Sequence, residues 1–381
     1  MNLASSEVHQ SRKSGFFPML RSDSTSKRGE RLGWLLMAAV GVGASLLVFL
    51  GNPGNMGICG ACFLRDTAGS LNMFTGAGPR IFRPEVAGVI LGAFFWVVLR
   101  RKYQARSGSF AVSRFLLGVI MGWTALVFLG CPFRMLQRIG GGDLHAVMGA
   151  IGFVAGVGVG LWFEKKGYSI GRTAVVAPAV GWVGPAVAAA LLLAFLFGAG
   201  LAGPGPGAAG DPPHAFWVWS LVIASIAGAI MSATGFCAVT AARQVFLRQR
   251  AMLIGAGCLV VGYALISLMT GAWKFGWTGQ PASQPETVWN IAAMAVVGLT
   301  GALAGGCPVR QMVLSGEGNG DAFVTVMGLL VGGATAHGLG IVSSGSGTTE
   351  AGRAVVILGG LAALLYAAAI VSASSKAARS S

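Results

Sequence analysis

Long apolar segments alternate with short polar segments along nearly the whole chain. Ten of them approach the length of about 20 residues that an α-helix needs to cross a membrane. They occupy residues 32–50, 84–99, 113–130, 144–163, 173–202, 215–233, 251–273, 288–305, 322–343 and 354–373. This pattern predicts an all-α polytopic membrane protein with about ten transmembrane helices.

The composition supports a membrane location. Of 381 residues, 54% are hydrophobic and 10% are charged, whereas charged residues make up about 25% of an ordinary soluble domain. The net charge of +15 is spread between the apolar segments and forms no single basic patch. We therefore expect a lipid bilayer, and no nucleic acid, as a partner.

The distribution of Lys and Arg predicts the orientation in the membrane. If the N-terminus is cytoplasmic, the inside segments carry 20 of these residues and the outside segments carry 7. This split obeys the positive-inside rule for a chain with both termini in the cytoplasm. We expect residues 1–31 to form a disordered basic cytoplasmic tail and residues 374–381 to form a second cytoplasmic tail.

A five-residue motif occurs twice. Gly-Cys-Pro-x-Arg is found at 130–134 and again at 306–310. A second pair of sites repeats with an equal six-residue spacing, namely Cys59 with Arg65 and Cys237 with Arg243. Corresponding positions lie 176 to 178 residues apart, which indicates an internal duplication.

The two halves are expected to have opposite orientations. The first membrane repeat is 32–202, a Pro/Gly-rich connector is 203–214, and the second repeat is 215–373. Because five apolar segments precede the connector, the second half enters from the opposite face, which predicts inverted repeats with a site near the membrane midplane. Glycine-rich breaks beside the cysteines predict re-entrant half-helices. These would bring the four repeated cysteines toward one axis, with the first-half pair opening outward and the second-half pair inward.

The Cys-Pro pair predicts a helix start, with proline in the first turn and cysteine at the N-cap. The thiols of Cys131 and Cys307 would then lie at the positive end of a helix, where free N–H groups bind anions. Arg134 and Arg310 follow about one turn later. A thiol beside a guanidinium suits an anion that carries both sulfur and oxygen.

Some of these features also have simpler interpretations. Cys131 and Cys307 could be small packing residues, although packing alone does not require the repeated arginine. Asp143 and Asp321 fit helix N-caps better than a role in transport. Gly-x-x-x-Gly spacings, such as Gly152 to Gly156, indicate close helix packing.

Several other residues are candidates beside the pathway. The equal spacing of Arg65 and Arg243 from cysteine favours a place near the pathway mouth over a plain surface position. Cys62 and Gln311 are possible accessory residues. Cys59 and Cys62 form a Cys-x-x-Cys that could close as a disulfide. With no second Cys-x-x-Cys and four scattered histidines, we expect no metal site.

The doubled Gly-Cys-Pro-x-Arg and the run at 51–66 resemble the YeeE/YedE family of sulfur-transport membrane proteins, in particular the YedE branch associated with selenium metabolism. The resemblance covers 32–373. It implies a mostly helical two-fold hourglass in the bacterial cytoplasmic membrane that imports thiosulfate or a related species. It also implies pathway roles for Cys59, Cys131 and Cys307, and a separate small cytoplasmic sulfur-carrier protein as partner.

Three hypotheses follow for the function. The first is a transporter, with no cofactor, that imports a sulfur or selenium oxyanion along Cys59, Cys131, Cys237 and Cys307. The alternative is a membrane sulfurtransferase or thiol oxidoreductase that forms a cysteine persulfide. The third is a structural or scaffold membrane protein that only recruits a carrier. Thiols repeated in both halves favour transport, because an enzyme with a one-sided site does not need them.

Overall fold

The computed structural model describes residues 27–75, 78–171, 173–198, 201 and 213–380, with side chains as far as 375. Fourteen α-helices dominate these residues. The first seven are α1 (Lys27–Phe49), α2 (Gly60–Ser70), α3 (Pro84–Leu99), α4 (Ala111–Val127), α5 (Pro132–Gly140), α6 (Leu144–Lys165) and α7 (Pro178–Leu196). The second seven are α8 (Trp217–Thr234), α9 (Ala238–Leu247), α10 (Ala251–Met269), α11 (Thr287–Ala304), α12 (Pro308–Gly316), α13 (Gly320–Gly338) and α14 (Glu350–Ser380). Two short antiparallel strands, β1 (Arg106–Ser107) and β2 (Ala174–Val175), join two loops.

Eight helical stretches of the described residues are long and apolar enough to cross a membrane. They are α1, α4 through α5, α6, α7, α8 through α9, α10, α11 through α12, and α14 as far as Ser375. Of the other two expected segments, α3 has only 16 residues. The remaining one, α13, contains Asp321, His337 and several glycines and is not among the eight. The multi-pass helical class is confirmed, whereas the count of ten stays a prediction.

The helices extend beyond the apolar segments at both ends of the chain. Residues 1–26 of the expected tail lie outside the described residues, but Lys27–Arg31 form the first turn of α1. At the other end, α14 continues to Ser380. Lys, Arg and Glu are good helix formers, so a helix can continue into a polar segment. The end of an apolar segment therefore does not mark the end of its helix. Most of the 203–214 connector also lies outside the described residues.

Corresponding helices of the two halves pack in reciprocal pairs. Each helix of the first half corresponds to the helix seven positions later, so α1 corresponds to α8 and α3 to α10. The helix α1 packs on α10, and their counterparts α8 and α3 pack on each other. In the same way, α4 packs on α13 while α11 packs on α6. The duplication seen in the sequence therefore has a counterpart in the packing.

Glycines bring these paired helices into backbone contact. A Cβ added to Gly152 of α6 would lie 2.0 Å from the carbonyl oxygen of Ile291 in α11. A Cβ added to Gly328 of α13 would lie 2.1 Å from the carbonyl oxygen of Phe115 in α4. No larger residue fits without moving a helix, which confirms the predicted role of the Gly-x-x-x-Gly spacings in close packing.

Candidate functional site

The four repeated cysteines occupy one kind of structural position, the N-cap of a short helix. Cys131 and Cys307 precede α5 and α12 with φ/ψ of −81°/169° and −72°/165°. Cys59 and Cys237 precede α2 and α9 with φ/ψ of −143°/122° and −149°/129°. The helix starts predicted at Cys-Pro are confirmed. The caps at Cys59 and Cys237 were missed, because cysteine is not a favoured N-cap residue and no proline follows it there.

Left-handed residues set up the two Cys-Pro helices. Leu129, with φ of 61°, lies between α4 and α5, and Gly305, with φ of 87°, lies between α11 and α12. Such a residue ends one helix and lets the chain turn before the next one begins. The backbone therefore presents Cys131 and Cys307 in matching ways in the two halves.

The first-half thiols lie side by side. The Sγ atoms of Cys59 and Cys131 are 3.7 Å apart, and the backbone N–H of Gly60 donates to Cys131 Sγ at 3.3 Å. The backbone N–H of Cys62 donates to Cys59 Sγ at 3.3 Å. Each thiol thus accepts a hydrogen bond from a helix N-terminus, which is an environment suited to negative charge.

The second-half thiols join the same cluster. Cys237 lies within side-chain hydrogen-bond range of Cys307, and Cys307 lies near enough to Cys131 for an electrostatic interaction between the two halves. The start of α2 lies directly on the start of α12, since a Cβ on Gly60 would be 2.8 Å from the Val309 backbone nitrogen. Four helix N-termini therefore meet at the thiols. We name Cys59, Cys131, Cys237 and Cys307 the thiol cluster.

Solvent does not reach the thiol cluster. Its four members and Cys62 are each at most 3% exposed. All six cysteines are free, so Cys59 and Cys62 are not joined by a disulfide in this structure. The sixth, Cys258, is partly buried within α10.

Gln137 of α5 fixes the turn that leads into Cys59. Its Oε1 accepts from the backbone N–H groups of Gly57 at 2.9 Å and Ile58 at 3.2 Å. Its Nε2 donates to the Ile58 carbonyl at 2.5 Å. One buried side chain from the Cys131 helix therefore positions the Cys59 backbone, a role that the sequence did not reveal.

Gln311 and Gln244 also hold backbone groups. Gln311 Nε2 donates to the carbonyls of Ala304 at 3.2 Å and Gly306 at 3.4 Å, next to Cys307. Gln244 Oε1 accepts from the N–H of Met252 at the start of α10, at 2.8 Å. Both amides therefore support the fold around the site.

Three of the four predicted arginines have carboxylate partners. Arg65 pairs with Asp66 at 2.6 Å. Arg243 pairs with Glu164. Arg310 pairs with Glu317 at 3.3 Å. The sequence did not predict these ion pairs. Each carboxylate balances the charge of an arginine that was expected to face the pathway.

Arg134 differs from the other three. It is 2% exposed, and its guanidinium donates to the carbonyls of Asn55 at 3.0 Å, Ala282 at 3.3 Å and Leu129. It also donates to Cys62 Sγ at 3.5 Å. All of these partners are neutral. Among the described residues no carboxylate lies within 4.0 Å of this guanidinium.

The loop between α10 and α11, residues 270–286, covers Arg134. Ala282 is exposed and adopts a φ of 46°, which is strained for a residue with a side chain. The next residue, Ser283, accepts from Arg138 at 2.5 Å. Ala282, itself exposed, therefore contacts the buried guanidinium through its carbonyl.

The two predicted aspartate caps have different outcomes. Asp143 is the N-cap of α6, accepts from the His145 N–H, and pairs with Arg138 at 2.7 Å. The prediction for Asp321 was wrong, because the N-cap of α13 is Asn319. Asp321 instead pairs with Arg114 at 3.2 Å.

The fold and the buried thiol cluster define a multi-pass helical membrane protein with cysteines at converging helix ends. No protein-family model matches the chain, and no curated protein matches it. Among the described residues, no three His, Cys, Asp or Glu side chains are placed to hold a metal ion.

Proposed function

We propose that this protein imports a small sulfur- or selenium-containing oxyanion across the bacterial cytoplasmic membrane. One observation carries the proposal: four cysteines cap four short helices whose N-termini meet at one buried cluster. Each N-terminus carries N–H groups that have no partner within their own helix and a partial positive charge. Together they form an environment for an anion at a depth where an unpaired anion would otherwise be costly.

The proposed architecture is a pair of inverted repeats around that cluster. The reciprocal packing of α1 on α10 and α8 on α3, and of α4 on α13 and α11 on α6, supports it. In this arrangement α2, α5, α9 and α12 are re-entrant half-helices, and α3 and α13 complete the ten spans. The 20 to 7 distribution of basic residues supports cytoplasmic termini.

The chemistry of the cluster suits an anion with both hard and soft atoms. Oxygen atoms accept strong hydrogen bonds from guanidinium and backbone N–H groups. A terminal sulfur or selenium atom is weakly hydrated and meets the thiols of the cluster at little desolvation cost. A series of weak sites lets an ion enter and also leave.

Membership of the YeeE/YedE family is part of the proposal and rests on the motifs at 51–66, 130–134 and 306–310. It would place a separate small sulfur-carrier protein at the cytoplasmic face. The basic residues expected on that face suit an acidic partner.

Flux measurements test the proposal directly. The full-length protein would be reconstituted in proteoliposomes and uptake of radiolabelled thiosulfate measured, with selenite, sulfite and sulfate as competitors. We expect uptake that falls to the level of empty vesicles in Cys131→Ser and Cys307→Ser and stays unchanged in Cys258→Ser. Uptake that persists in both cluster variants, or that is absent from the parent protein, would reject the transport model.

The 3.7 Å contact between Cys59 and Cys131 supports one alternative, a membrane sulfurtransferase. In that reaction a cysteine thiolate attacks the terminal sulfur of thiosulfate, the sulfur–sulfur bond breaks, sulfite leaves, and the cysteine becomes a persulfide. Intact-mass analysis after incubation with thiosulfate separates the two functions. A reductant-sensitive gain of one sulfur atom, with release of sulfite and no vesicle uptake, would favour the enzyme.

A further inference from the structure

The two Gly-Cys-Pro-x-Arg motifs differ in how the charge of their arginine is balanced. Six arginines in the described residues are buried. Five of them, Arg65, Arg83, Arg114, Arg138 and Arg310, lie within 4.0 Å of a carboxylate. Arg134 is the exception within these residues. A buried charge without a counter-charge is expensive, so its surroundings favour the arrival of an anion.

Glu317 makes the second motif different. It is the C-cap of α12, and its Oε1 lies 3.3 Å from Arg310 Nη1. The C-cap of α5, at the matching position, is Gly141. A Cβ on Gly141 would lie 2.0 Å from Asn55 Oδ1. The Asn55 side chain therefore occupies the space that an equivalent carboxylate would need beside the first motif.

Cys62 adds a second difference at the same place. Its Sγ accepts from Arg134 Nη1 at 3.5 Å, so a guanidinium and a thiol lie in direct contact. The corresponding position in the second half, by its spacing from the N-cap cysteine, is Thr240. A site for an oxyanion with a terminal sulfur or selenium atom is thus more complete at Arg134 than at Arg310.

We propose that Arg134, with Cys62, is the tight anion-binding site of the pathway, and that Glu317 is a built-in competitor that keeps the Arg310 site weak. This inference rests on the proposed function. An anion that reaches Arg310 must displace Glu317, whereas an anion at Arg134 displaces only neutral carbonyl groups. Tight capture at one motif and easy release at the other follow from this difference.

Equilibrium binding of radiolabelled thiosulfate to the full-length protein in nanodiscs tests the inference. We expect one tight equivalent in the parent protein, its loss in Arg134→Gln, and its retention in Arg310→Gln. Glu317→Gln should tighten binding at the second motif by roughly tenfold or more, because it removes the competing charge. Glu317→Ala serves as a second variant with the same expected gain.

Glu350→Gln is the matched control, since Glu350 is exposed and, within the part of the chain that the structure describes, pairs only with Arg353 at 2.8 Å. It should bind as the parent protein does. Thermal unfolding of each variant would identify any that fails to fold, and the remaining Glu317 variant then decides the test.

Several outcomes would overturn the inference: two equal sites in the parent protein, no thiosulfate binding at all, tight binding that survives Arg134→Gln, or no change in either folded Glu317 variant. Its failure is separable from failure of the transport proposal. Binding as expected without flux in proteoliposomes would reject transport and leave the Arg134 site standing. Flux with binding that is indifferent to Arg134 would reject only the site.

Discussion

The Sγ atoms of Cys59 and Cys131, residues that are 72 positions apart in sequence, lie 3.7 Å from each other inside a cluster that solvent does not reach. Each belongs to a different repeated motif, and each caps a different helix. The contact is therefore a consequence of the tertiary fold, and it can be tested without any assumption about the substrate.

Oxidation should join this pair. With copper phenanthroline as oxidant, the two thiols lose two protons and two electrons and form a disulfide, and the number of titratable thiols falls by two. Peptide mass mapping should find Cys59 linked to Cys131. The link should be absent from Cys59→Ser and present in Cys258→Ser. Because Cys59 also lies beside Cys62, the decisive variant is Cys62→Ser, and failure of the Cys59–Cys131 link to form in that variant would contradict the geometry.

Helix packing gives a prediction about stability. Gly152→Ala would place a Cβ 2.0 Å from the Ile291 carbonyl oxygen, so we expect a loss of roughly 1–3 kcal/mol. Gly257→Ala is the matched control, because nothing lies within 4 Å of its Cβ position. That change should be neutral or stabilising by up to about 1 kcal/mol, since alanine is the better helix former. Thermal unfolding in one detergent measures both, and equal effects would argue against the reciprocal contacts.

Sequence reasoning found the helical class, the duplication and the Cys-Pro helix starts because each depends on local chemistry. Asp321 was wrongly predicted to be a cap because the two halves were aligned on their aspartates. Gly142 and Gly318 share a φ of 93°, so the residue that matches Asp143 structurally is Asn319. The carboxylate partners of the arginines could not be read from the sequence either. Glu164 and Arg243, for example, meet only after α6 packs against α9.

The buried pair of Arg138 and Asp143 provides a sharper stability test. Their charged groups are 2.7 Å apart and fully buried. Asp143→Asn keeps an acceptor for the His145 N–H but leaves the guanidinium unpaired, which should cost about 3–5 kcal/mol. Asn319→Asp, the reciprocal change at the matching cap, should alter stability by less than about 0.5 kcal/mol, because both residues cap well. If both variants lost a comparable free energy of unfolding, the cap and not the ion pair would be the main source of stability at this position.

Acidification should loosen the end of the α10–α11 loop at Glu286. Partial burial would raise the pKa of Glu286, but hydrogen bonds from the Thr348 N–H at 3.1 Å and from Arg353 outweigh it and hold the pKa below its ordinary value of 4.5. A lowered pKa stabilises the folded loop above the ordinary value, and this contribution is lost as the pH falls through the folded-state pKa. Amide hydrogen exchange at Thr348, corrected for the intrinsic pH dependence, should therefore rise in acid. Glu286→Gln should remove this pH dependence, and an unchanged profile in that variant would contradict the assignment.

Gln137 should control how closely Cys59 approaches Cys131. Gln137→Leu removes two acceptor contacts to Gly57 and Ile58 and one donor contact to Ile58, so the turn before Cys59 loses its fixed position. Because reactions between held groups are sensitive to shifts of about 1 Å, the rate of Cys59–Cys131 cross-linking should fall by about tenfold or more. Gln311→Leu is the matched control, since its amide holds only the Cys307 side of the cluster. If Gln137 merely filled space, leucine would preserve the cross-linking rate, and both variants would behave like the parent protein.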